Sequence, residues 1–180
     1  MGLRAAMALV LCGSAAQAQS APDIAAPLFY LTHGINCVPK AGKVVTGQDT
    51  VDGEIIQYES KGLPILIQTT RVPAKVGISM MTAFGVHPDT PPGVLTATVT
   101  HPPMGAQNTT HQTWQIDIKG GDQKAMGYLL EDTFEEVTGP WVFTLHLEGA
   151  AVMRSVFSLV PPDDAPEVMD RCFPDVVPGS

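Results

Sequence analysis

His101, Met104 and His111 are side chains of the types that hold copper in exported proteins, where imidazole and thioether ligands suit a soft ion. His101 and Met104 stand at a ligand-like separation across two prolines, and His111 needs a strand pairing to reach them. The other histidines, His33, His87 and His146, form no i, i+4 pair and no H-x-H pair. Met80 and Met81 are adjacent, so on a strand they point to opposite faces and cannot line one site. Met126, Met153 and Met169 suit irregular core gaps. Metal handling therefore stands as an alternative that depends on the fold bringing three side chains together.

Carboxylates supply the next chemistry. Glu131, Asp132, Glu135 and Glu136 form an acidic cluster ahead of Gly139. Paired carboxylates carry out glycoside hydrolysis, and carboxylate oxygens bind Ca²⁺, but the cluster lacks EF-hand spacing and reads more simply as a solvated turn. The chain has no Gly-x-Ser-x-Gly elbow, no His-Glu-x-x-His and no Gly-rich phosphate loop. No residue is expected to be catalytic and no cofactor is expected, so a hydrolase is the less favoured alternative. Trp114 and Trp141 lie on apolar faces of alternating segments and are expected in the core rather than on a sugar-binding surface.

The first residues set the compartment. Arg4, the apolar run from Ala5 to Leu11 and the Ala16-Gln17-Ala18 pattern read as a secretory signal peptide cut after Ala18. The apolar run falls well short of the ~20 residues that span a bilayer, so no membrane span is expected after cleavage. Removing Arg4 from the ten basic residues leaves nine against eighteen acidic ones, a net charge of −9. Such a surface argues against nucleic acid and against docking on anionic headgroups. Cys12 leaves with the leader, and Cys37 and Cys172 remain to pair in an oxidising compartment, the bacterial periplasm. A redox pair would call for C-x-x-C spacing, which is absent, and a lipidated Cys12 would call for a small residue where Leu11 stands.

Beyond the leader, residues 19–53 read as an N-terminal arm and loop, 54–160 as the core, and 161–180 as a C-terminal tail stapled to the arm. Within the core, short segments rich in Ile, Val, Thr and aromatics recur every ~8–15 residues between Gly, Pro, Asp and Asn, the texture of antiparallel β structure. Strands are expected at 54–58, 65–70, 78–86, 94–100, 111–118, 125–130, 141–148 and 152–160. The clearest is 141–148, where Trp141, Phe143, Leu145 and Leu147 alternate with Val142, Thr144, His146 and Glu148. Asp89-Thr90-Pro91-Pro92-Gly93 and Gly120-Gly121-Asp122 are turns. No ten-residue stretch has helical periodicity. Seven or eight strands in this length predict a two-sheet sandwich.

The stretch 68–159 resembles a bacterial exported family known as domain of unknown function 3859. The resemblance is carried by Gln68-Thr69-Thr70-Arg71-Val72-Pro73, Gly77, Phe84-Gly85, Pro92-Gly93, His101-Pro102-Pro103, Gly127-Tyr128, Gly139-Pro140-Trp141 and Phe157. The chain departs from the pattern where Thr138-Gly139-Pro140-Trp141 replaces Pro-Gly-x-Trp and where Ile78-Ser79-Met80-Met81 follows Gly77. The resemblance implies a small exported protein of immunoglobulin-like architecture; it implies no activity and supplies no catalytic residue.

Taken together, the chain is expected to be an all-β, immunoglobulin-like sandwich acting as a non-catalytic binding or protein-interaction module. Partner and oligomeric state are not readable from it. Gln68, Thr69, Thr70 and Val72 form the expected contact edge, because unpaired strand edges take up other strands.

Overall fold

The computed structural model describes residues 21–37, 43–47, 49–51, 53–57 and 65–174. The expected leader, 1–18, lies outside them. In chain order the strands are β1 (Asp23–Ile24), β2 (Leu28–Cys37), β3 (Lys43–Thr46), β4 (Glu54–Gln57), β5 (Arg71–Pro73) and β6 (Ile78–Val86). They continue as β7 (Gly93–Met104), β8 (Thr109–Ile118), β9 (Gln123–Leu129), β10 (Gly139–Leu147) and β11 (Ala150–Val160). A 3-10 turn (Thr133–Glu135) precedes β10, and a short helix α1 (Pro166–Cys172) follows β11.

Alternation does the sorting. In β10, Trp141, Phe143 and Leu145 are fully buried while Val142 and Thr144 are half-buried, and β7 buries Leu95, Ala97 and Val99 in the same rhythm. One apolar face per strand must pack on another layer. The large sheet runs β1-β11-β10-β7-β8, with β5 also on β11; the small sheet runs β2-β6-β9. A hydrogen bond between the Thr82 and Ser155 hydroxyls, 2.7 Å, crosses between them in the buried interior. Phe143 and Phe157 meet edge to face at 5.5 Å on the large-sheet side of the core. This is an antiparallel immunoglobulin-like β-sandwich, as the alternation and the resemblance led one to expect. The β3–β4 hairpin stands apart as a sheet of its own.

The expected strands at 78–86, 94–100, 111–118, 125–130, 141–148 and 152–160 correspond to β6 to β11, within a few residues at the ends. Two expectations need correction. Residues 19–53 are not a peripheral arm, because β2 pairs along β6 and buries Leu28 and Ile35 in the core. Its sequence, LFYLTHGINC, lacks clean alternation because the register shifts between Tyr30 and Thr32. Nor is 65–70 a strand: only Ile67 bridges to Ile35, after which the chain leaves the small sheet and β5 joins β11 in parallel.

That change of sheet happens over Gly34. A Cβ built there would lie 2.2 Å from the Ile67 carbonyl oxygen, and the residue's φ is +148°. Only glycine lets the two backbones come so close. At the far end of β2, Cys37 is bonded to Cys172 of α1, with Cα atoms 5.2 Å apart and 135 residues between them in sequence. Closing so long a loop contributes roughly 5 kcal/mol in the chain-entropy picture.

Gly34→Ala is expected to lower stability by about 1–3 kcal/mol, since the methyl group must displace backbone rather than a side-chain tip. Urea denaturation with the disulfide intact measures it, and an unchanged midpoint would show that the crossing over Gly34 is not tight.

Candidate functional site

Prolines shape the end of β7. Neither Pro102 nor Pro103 can donate to a ladder, and pairing with β8 breaks between Thr100–His111 and Met104–Thr109, so residues 101–103 oppose Thr110 alone. The bulge tucks His101 inward, 4% exposed, stacked on Trp141 with ring centroids 4.7 Å apart. Gly139, at φ +134°, gives Pro102 its space, because a Cβ there would meet the proline Cγ at 2.8 Å. Tyr128 also meets the indole, tilted, with ring centroids 5.0 Å apart. The indole N–H donates to the Val137 carbonyl at 3.3 Å.

A chain of polar groups runs through this end of the sandwich. Gln112, 2% exposed, faces inward from β8. Its Nε2 donates to the Tyr128 hydroxyl at 3.1 Å and lies 3.4 Å from His101 Nε2, while its Oε1 accepts the Val51 N–H at 2.8 Å. The Tyr128 hydroxyl donates to Glu135 Oε1 in a short hydrogen bond. Glu135 Oε2 accepts the backbone N–H groups of Glu131 and Asp132 at 2.6 and 2.9 Å. Glu135 is 1% exposed. Burial is affordable because donors converge on both oxygens; unmet, such a carboxyl would be strongly destabilising.

This geometry answers several expectations. Glu135 is a buried structural carboxyl, not a solvated catalytic one, and Glu136 is occupied in accepting the Val76 N–H at 2.9 Å. The acidic cluster is expected as a solvated turn, but Glu135 is buried and its carboxylate caps the 3-10 turn at Asp132. His101, Met104 and His111 do not share one environment: His101 and Met104 are buried, while His111, paired with Thr100, is exposed on β8, near enough to His101 to oppose its protonation. Strand alternation sends neighbours to opposite faces, which the linear spacing of the three residues concealed. Among the described residues, no group of three His, Cys, Asp or Glu side chains is placed to hold a metal.

Of the expected edge, Gln68 is exposed and Thr70 half-buried, while Thr69 and Val72 are 7% and 0% exposed. Beside them Arg71 is engaged by the tail, its Nε donating to the Asp164 carbonyl at 2.9 Å and its guanidinium 3.7 Å from the Asp164 carboxylate. Exposed apolar surface lies instead on β2, where Phe29, Tyr30 and Leu31 are 37%, 38% and 38% exposed, with Leu66 at 39% on the segment beside it. The register shift between Tyr30 and Thr32 spoils the alternation that marks a strand in sequence. The lack of any charged residue in β2 is the signal that marks it.

Burial holds two histidines towards the neutral form. His101 is pushed below its ordinary 6.5 chiefly by desolvation, opposed by its hydrogen bond to the Pro102 carbonyl and reinforced by His111. His33 is lowered by desolvation alone; its Nδ1 meets the Tyr30 hydroxyl at 2.8 Å while its Nε2 is buried without a partner.

His101-Pro102-Pro103, Gly127-Tyr128 and Gly139-Pro140-Trp141, which carry the family resemblance, thus meet around one buried indole. A family model described as Domain of unknown function (DUF3859) matches residues 40–159. The chain belongs to that family. The DUF3859 match includes β3 to β10, the buried polar chain and most of β11; it excludes β1, β2 and both disulfide cysteines. A search of curated proteins finds no match.

Among solved structures, the chain is similar to an immunoglobulin-like protein from Pseudomonas aeruginosa at 19% identity and a TM-score of 0.45, covering 79% of this chain and 99% of that one. A Pseudomonas fluorescens alkylpurine DNA glycosylase bound to DNA matches at 12% identity and a TM-score of 0.32, over 50% of this chain and 27% of that one. A β-D-glucoside glucohydrolase from Trichoderma reesei matches at 11% and 0.33, over 74% and 19%. At these identities the likenesses carry no activity across.

Glu135→Gln is expected to cost about 1–3 kcal/mol, because an amide must turn an N–H towards a group that already donates. Urea denaturation at pH 7.5 measures this, and a loss below 0.5 kcal/mol, on the order of experimental error, would mean the carboxyl is not holding its donors. The two histidines add a pH dependence. Each has a folded value below its unfolded 6.5, so their contribution is full above that pH and is lost as pH falls through the folded values. Urea midpoints are expected to drop between pH 7.5 and 5.5, and to drop less in His33→Gln.

Proposed function

We propose that this DUF3859 chain is a non-catalytic interaction module of the bacterial periplasm that takes up an extended strand of a partner protein along the free half of β2. One observation carries the reading: Phe29, Tyr30 and Leu31 lie exposed in succession on an edge strand that has no charged residue. Edge strands of soluble proteins are commonly protected by charge, proline or cover, and an uncharged apolar edge is a template for another strand. The cover on β2 is partial. Ile35 is engaged by Leu66 and Ile67, and Gln68 reaches the Thr32 hydroxyl at 3.1 Å. Among the described residues, no backbone bond from outside the sheet reaches Phe29, Tyr30 or Leu31.

The leader pattern and the Cys37–Cys172 bond support the periplasmic part of the reading, since both suit an exported chain in an oxidising compartment. Strand capture needs main-chain pairing plus apolar contact, which matches three uncharged side chains beside a sheet edge.

The test is photo-cross-linking in intact cells, with a photoreactive residue at position 31 or, as a control, at the exposed Val94 of β7. A discrete protein adduct is expected from position 31 and not from 94. Leu31→Lys should weaken binding of the partner so identified by tenfold or more, about 1.4 kcal/mol. Equal labelling at both positions, or none at 31, would remove the edge-capture reading. A cytoplasmic protein with an uncleaved leader would remove the periplasmic one.

A further inference from the structure

The buried polar chain has a joint at Gln112. On one side its Oε1 accepts the N–H of Val51, in the loop between β3 and β4. Beside that bond, the Thr113 N–H on the outer edge of β8 donates to the Asp49 carbonyl at 3.2 Å. These two contacts fasten the hairpin loop to the last strand of the large sheet. On the other side, Gln112 Nε2 faces His101 Nε2.

The orientation of the amide is tied to the proton on the imidazole. His101 Nδ1 lies 2.8 Å from the Pro102 carbonyl oxygen, which can only accept, so Nδ1 carries the hydrogen. Nε2 of the neutral ring is then an acceptor for the Gln112 N–H. A second proton on the ring must go to Nε2, and there it meets a donor. Turning the amide relieves the conflict by presenting Oε1 to His101, but it gives up the N–H donated to the Tyr128 hydroxyl and presents N–H groups to the Val51 N–H. The protonated imidazole and the Val51 bond exclude each other.

We propose that His101 and Gln112 form an acid-sensitive latch, in which protonation of the imidazole turns the amide and releases the β3–β4 loop from β8. Release frees the Thr113 N–H and opens the outer edge of the large sheet to another strand. This goes beyond the β2 reading, since it concerns the opposite sheet and does not depend on a partner at β2. The groups facing His101 are compatible with it. β8 presents Gln112, and the nearby cationic form of His111 opposes protonation; β10 presents only the Trp141 face, which attracts a cation. β9 presents Tyr128, and the 3-10 turn presents Glu135, whose carboxyl is directed at the tyrosine hydroxyl rather than at the imidazole.

Amide hydrogen exchange of the whole mature protein between pH 7.5 and 5.0, corrected for intrinsic rates, tests the latch at Val51 and Thr113. Opening at Val51 should rise as pH falls, by up to tenfold per pH unit where the closed latch holds the His101 imidazole neutral against protonation. His101→Phe keeps a ring on Trp141 without a titrating nitrogen and should make the profile flat, whereas His111→Gln should leave it as in the wild type. Equal protection at both pH values, or a dependence that survives His101→Phe, would overturn the latch. Because His101→Phe can itself loosen this end, the wild-type protein supplies a second reading by NMR. The Gln112 side-chain amide should shift with the same midpoint as the His101 ring, and an amide that stays still through that titration would equally overturn it.

Discussion

The Ile67 carbonyl oxygen lies only 2.2 Å from where a Cβ of residue 34 would be, and much of this sandwich follows from that close approach. Residues 65–68 lie against β2 at Gly34 and then leave the small sheet, so that β5 can pair with β11 on the large one. One departure has two effects. The C-terminal half of β2 is covered by the passing chain, while among the described residues no backbone bond from outside the sheet reaches Phe29, Tyr30 or Leu31. Sheet closure and the candidate binding surface are consequences of the same backbone crossing.

The interior is organised by a different constraint at the other end. Trp141 fills the space between the sheets, and His101, Tyr128, Gln112 and Glu135 arrange their polar atoms around it. A buried polar chain is stable only when each donor finds an acceptor, so these residues depend on one another more than apolar neighbours would. The prolines that interrupt β7, the glycine that leaves room for Pro102 and the 3-10 turn that aims Glu135 are the local devices that bring them into register. Chemistry-bearing residue types here serve cohesion, and the Gln112 bond to Val51 connects the network to the β3–β4 loop.

The family match and the fold do not share boundaries. β1 and β2 precede residue 40, yet β2 sits between Ile67 and β6, both of which are matched, and β1 lies on the edge of β11. The N-terminal segment therefore completes the small sheet of this DUF3859 chain. The disulfide between two unmatched cysteines holds its end against α1.

Residue order by itself determined the β class, six strands of the core nearly to their ends and the pairing of Cys37 with Cys172. Alternation around Trp141 and turns at proline and glycine are local signals, and two cysteines allow one intramolecular bond. Trp141 was legible as core for the same reason. Tertiary structure alone decided the rest. β2 belongs to the sandwich despite its broken alternation, because pairing with β6 and burial of Leu28 and Ile35 outweigh its local pattern. The burial of His101 beside an exposed His111, and the burial of Glu135, depend on which face each residue takes and which donors fold over it. Linear spacing carries no information about faces once a bulge intervenes, and none about donors that come from 3-10 turns and neighbouring strands. The open edge at Phe29 and the joint at Gln112 exist only where separate segments of chain meet.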